Sequence, residues 1–137
     1  MATLPSGLPE AIAPDEDIAR FLTQSSQFNS IMAKPAAFLP NPRDKESSVS
    51  RHGREPAERL WQLGAVAAGA RNLYGAAILK AHAVADAGLE LSADEPPDFH
   101  AVIRNWPWNE TDRELERAKQ RELALLLASA AGSPFMK

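Results

Sequence analysis

The chain has 137 residues, 45% of them apolar and 24% charged, with a net charge of −3 and no cysteine. That size suits one domain able to bury roughly two thirds of its unfolded surface. The composition excludes a disulfide framework, a thiolate metal site, a cysteine nucleophile and a global field that would attract nucleic acid or an anionic membrane.

Residues 1–13, rich in Pro, Gly and Ala, read as a flexible N-terminal segment, and 14–137 as a single globular domain. The opening residues lack a basic start and a continuous apolar run, so no signal peptide is expected. No apolar stretch is long enough to cross a bilayer, which makes cytoplasmic the default expectation and gives no reason for membrane contact. The alanine-rich composition, with more arginine than lysine, is common in GC-rich bacteria.

Pro14-Asp-Glu-Asp-Ile18 predicts a helix start, with proline in the first turn and acids at the positive end of the helix dipole. Ile18, Phe21 and Leu22 then form the buried stripe of a helix over 14–24. Residues 30–46 read as a long ordered loop, because Pro35, Pro40 and Pro42 forbid regular structure while Phe38 and Leu39 can be buried. Residues 47–52 are a short strand ended by Gly53. Glu55-Pro56 opens a helix over 55–73, with Leu60, Trp61, Gly64 and Ala68 on one face and Trp61 in the core.

Residues 76–87 contain six alanines in twelve positions, which favours a helix stopped by Gly88. Residues 89–93 and 99–105 alternate as strands do, joined by a proline-rich connection. Thr111 and Glu114 have the spacing of a capping box for a last helix over 110–131. Its apolar face would hold Leu115, Ala118, Leu123, Leu126, Leu127 and Ala130. The expected fold is α+β: a small antiparallel or mixed sheet of about three short strands packed with about four helices.

Alternation along 99–105 puts Phe99, Ala101 and Ile103 on one face and His100, Val102 and Arg104 on the other. If Arg51 and His52 of the 47–52 strand lie alongside, His100, Arg104, Arg51 and His52 supply an imidazole acid or base and a cation for a charged phosphorane. Trp106 and Trp108 flank Pro107 and are candidate binding residues, since tryptophan is enriched in interface hot spots. His52, His82 and His100 stand apart in sequence without the local pairing of a zinc site, so no metal and no cofactor is expected. Gly64-Ala-Val-Ala-Ala-Gly69 has phosphate-loop glycine spacing, but Ala70-Arg71 stands where Lys-Ser/Thr is required, and close helix packing explains it better. Arg43, Lys45, Arg51, Arg54 and Arg59 alternate with four acids, which suits a solvated surface rather than a nucleic-acid groove.

Two functions fit these features. The first is a small cytoplasmic bacterial protein-binding or accessory subunit without catalytic activity, its partner another protein or a second copy. Apolar surplus at Trp108, Phe135 and 123–127 supports it. The alternative is a small metal-independent nucleic-acid- or nucleotide-processing enzyme, toxin-like, using the His/Arg set. An enzyme should gather those four residues in one concave pocket. A subunit should leave them scattered and expose an apolar patch.

Overall fold

The run Asp17-Ile-Ala-Arg-Phe-Leu22 is strand β1 in the computed structural model, which describes residues 2–137. Ile18, Ala19, Phe21 and Leu22 are all buried, so the run is a central strand covered on both faces. The expected 14–24 helix is therefore corrected to a strand. Its proline and acids instead build a turn, in which the Glu16 amide donates to the Ala13 carbonyl (3.1 Å) and the Glu16 carboxylate accepts from the Ala13 amide (2.7 Å).

The sheet has six strands rather than three, in the order β4-β5-β2-β1-β3-β6, and every pairing is antiparallel. The others are β2 (Ser47–Ser50), β3 (Gly75–Lys80), β4 (Glu90–Ala93), β5 (His100–Arg104) and β6 (Phe135–Met136). Three α-helices replace the expected four: α1 (Ala57–Ala68), the short α2 (His82–Asp86) and α3 (Arg113–Ala131). The class remains α+β.

Half of the expected 76–87 helix is β3. Alanine is a poor strand former in isolation, but here helices cover the sheet on both sides. Ala76 faces the smaller cluster, with Leu60 of α1, while Ala77 faces the larger cluster, with Ala124 and Leu127 of α3. Small side chains let both helices approach, and that packing overrides propensity.

On the α3 side, Ile18, Leu22, Phe38, Val84, Ile103 and Leu127 are completely out of water. Each such side chain contributes about 1.5–3 kcal/mol of burial. Residues 33–38 cross beneath α3, including a 3-10 turn at Pro35–Ala37, so the long loop is part of this core. On the other side, Trp61 stacks on Phe135 with centroids 5.4 Å apart, tying α1 to the β6 edge. Among the described residues no helix is long and apolar enough to cross a membrane.

Two local readings of α3 change. The cap is Asp112, whose carboxylate accepts from the Leu115 amide at 3.0 Å, whereas the Thr111 hydroxyl donates to Asn109. The buried face also turns: Leu115 and Leu126 are exposed, and Glu116, Gln120, Ala124, Leu127 and Ala128 face inward. The polar pair is there because the 107–109 backbone needs partners. Gln120 donates to the Pro107 carbonyl (2.8 Å), and Glu116 accepts from the Asn109 amide (2.8 Å).

Asp112→Ala is expected to lower unfolding free energy by about 1 kcal/mol, and Thr111→Ala by clearly less, in denaturant titrations. The reverse order would restore Thr111 as the cap. At Gly75 an added Cβ would stand 2.5 Å from the Phe135 carbonyl oxygen. Gly75→Ala is therefore expected to detach β6 and speed hydrogen exchange at the Lys137 amide, which donates to the Tyr74 carbonyl at 3.0 Å.

Candidate functional site

Strands β1 and β2 share only one residue pair, Ala19 with Ser50, although β1 pairs with β3 along its whole length. The two strands separate beyond that pair. One carbonyl of β2 and one of the Pro35–Ala37 turn find a donor in Arg20. Its Nε donates to the Ala37 carbonyl (2.7 Å) and its Nη1 to the Ser48 carbonyl (2.8 Å).

A cleft of about 720 Å³ opens at this gap. Arg20 and Ser48 lie in its floor, Leu63, Val66 and Ala67 of α1 form one side, and Leu39, Asn41 and Pro42 of the 39–46 segment form another. The volume falls within the range of small-molecule sites and has their mixture of apolar walls and a few polar groups.

Arg71, just past α1, also lines the cleft. Its Nη2 donates to the Ala67 carbonyl (2.8 Å) and its Nε to the Ala68 carbonyl (3.1 Å), so it caps the negative end of the helix. Burial, and secondarily the positive charge of Arg71, pull the Arg20 pKa down to about 10, which still leaves it protonated at neutral pH. Among the described residues neither arginine has a carboxylate within ion-pair distance. Arg59 lines the cleft further along, with its guanidinium 5.2 Å from the Phe99 ring centre. Acids are present too: Asp44, Glu46 and Asp98.

The chain resembles nothing that would supply a function: no family model, curated protein or solved structure matches it.

Of the four His/Arg residues singled out from sequence, His100 and Arg104 lie on β5, while Arg51 and His52 fall just past the end of β2, whose Ser50 stands opposite His100. Their side chains nevertheless leave in different directions. Arg51 is fully buried against Glu16 (3.0 Å) and donates to the Pro9 carbonyl (2.7 Å). The His52 ring N–H donates to the Gly53 carbonyl (2.7 Å), and the ring stacks on Phe99. The His100 ring donates to the Asp94 carbonyl (2.8 Å). Arg104 pairs with Glu46. Of the four, only His100 lines the cleft. Trp106 is interior, and its indole N–H donates to the Ile103 carbonyl (3.1 Å). Trp108 is half-buried, with the Lys45 ammonium 5.1 Å from its ring centre. His82 pairs with Asp86 on α2.

Sequence reasoning missed Arg20 and Arg71. The available signal was a lone cation inside the apolar run Ile18–Leu22, which a helix reading turned toward solvent.

The N-terminal segment is tied to the same end of β5. Ser6 donates from both its hydroxyl (2.6 Å) and its amide (3.0 Å) to Glu95, which also accepts from the Phe99 amide (3.1 Å). Burial disfavours the charged Glu95, but these donors and Arg51 outweigh it and hold its pKa below 4.5. A depressed carboxylate stabilises the fold above its unfolded pKa, and this contribution disappears as pH falls through the folded value. The Ser6 and Phe99 amide shifts are therefore expected to change together in a single acid step below pH 4.5. Glu95→Gln should remove that step; a step that persists in the variant would assign it to another group.

Proposed function

We propose that this protein is a binding module without catalytic activity of its own, an accessory subunit that receives part of a partner in the cleft at the β1–β2 gap. The partner in this reading is another protein or a second copy of the chain. One observation carries it. Arg51, His52, His100 and Arg104 do not converge on a reacting position, and each is held by a structural partner. Catalysis by such groups requires an acid or base within reach of the same atoms as the stabilising cation. The cleft does offer what a binding site needs: depth, apolar walls and fixed donors. Exposed Ile31, Val66, Leu125 and Leu126 add apolar surface that suits protein contact. The absence of cysteine fits a reducing compartment, so the reading assigns the protein to the cytoplasm.

The test uses amide-shift titration with mixed tetrapeptides, alongside an assay for hydrolysis of an RNA oligonucleotide. The expected result is shifts concentrated at Ser48, Leu63 and Val66 and no hydrolysis. Ala67→Trp, which fills the cleft from an exposed helix position, should abolish the shifts without changing the melting temperature. Hydrolysis that disappears in His100→Ala would bring back the enzyme reading. Shifts absent from the cleft would reject the binding site.

A further inference from the structure

The cleft reading leaves the chemistry of the occupant open, and the two arginines narrow it. Three features coincide at Arg20 and Arg71. Each guanidinium is fixed by two backbone carbonyls, so its orientation is set before any ligand arrives. Each has five N–H groups and uses two in these bonds, so donors remain for a third party. Neither has an anionic partner among the described residues.

Resting on the cleft being the binding site, we infer that Arg20 and Arg71 form a seat for a single carboxylate, the C-terminal end of a partner's chain.

The guanidinium fork matches the two oxygens of a carboxylate, and pre-orientation reduces the ordering cost of binding. An anion between two like charges also relieves the repulsion between them. Phosphate meets the same fork, but the rest of the cleft argues against it. Arg20, Arg59 and Arg71 share the lining with Asp44, Glu46 and Asp98, so the formal charge of the wall is balanced. A phosphate group brings about −1.5 to −2 charges into that wall, whereas a carboxylate brings one. Asp44 and Asp98 have no ion-pair partner among the described residues, which leaves them to accept from N–H groups further along an entering peptide. Leu39, Leu63 and Val66 provide the apolar contact between these polar ends.

The test compares four probes by amide-shift titration of the full chain: an acetylated tetrapeptide with a free terminal carboxylate, the same peptide as its carboxamide, hexanoate, and hexyl phosphate. The peptide acid should bind in the cleft at least about tenfold more tightly than the carboxamide, the scale of one charge-assisted pair. Arg71→Gln should bring the acid down to the level of the carboxamide. Arg71 is exposed, so this variant keeps the fold. Arg20→Lys keeps the charge but not the fork, and should weaken the acid in the same way.

Hexanoate binding as tightly as the peptide acid would overturn a partner's chain as the source in favour of a free carboxylate metabolite. Equal binding of acid and carboxamide in the cleft would overturn the carboxylate seat while leaving the binding reading intact. Tighter binding of hexyl phosphate than of hexanoate would overturn carboxylate in favour of phosphate. Failure of every probe to shift cleft amides would overturn the seat and the cleft reading together.

Discussion

The guanidinium of Arg20 stands where two neighbouring strands stop exchanging hydrogen bonds, and much of the molecule is arranged around that point. It joins the Ala37 carbonyl of the long 23–46 connection to the Ser48 carbonyl of β2. Without a donor there, the two backbone acceptors would depend on water in the cleft. With it, β1 serves as the central strand on its β3 side and as the wall of a cleft on its β2 side. The 33–38 segment packs with α3 in the larger cluster. The Arg20 side chain is thus both a structural brace and the deepest cation of the cleft.

Long-range polar ties do a similar job elsewhere. Arg51 joins the N-terminal segment to the turn before β1 through Glu16 and the Pro9 carbonyl. Glu95 joins the same segment to the start of β5 through Ser6 and Phe99. Arg104 fastens the end of the 39–46 segment through Glu46. Breaking a buried pair of the Arg51 type is generally costly because one charge is left without a partner. These contacts explain why arginines and histidines that looked like catalytic parts are separated: Arg51, His100 and Arg104 hold different parts of the chain, and His52 bonds its neighbour Gly53. In the cleft, Arg20 and Arg71 are held by backbone carbonyl oxygens.

Local signals in the sequence were strongest where they involved neighbouring residues. The alternating runs at 89–93 and 99–105 are strands β4 and β5, and the helical spacing of Leu60, Gly64 and Ala68 marks the buried side of α1. The reading went wrong at β1 and β3. Ile18, Phe21 and Leu22 satisfy helical spacing, but a strand buried on both faces has no alternation to reveal it. The alanines of β3 speak for helix until α1 and α3 are seen packed against its two faces. On α3, Leu115 looked apolar enough to face inward, yet Glu116 does, because the backbone at Asn109 needs an acceptor. That need is invisible without knowing what lies beneath the helix.

By itself the sequence determined the absence of thiol chemistry, the modest net charge, the two long helices and three of the six strands, because these follow from composition and from periodicity within short windows. The tertiary structure alone decided that β1 is central, that β6 closes one edge, and that Arg20 and Arg71 line the same cleft. Arg20 and Arg71 are fifty-one positions apart in the chain. Their sharing of a cleft depends on strand order and on where a strand pair opens. Both are set by packing among distant segments, which a local pattern does not record.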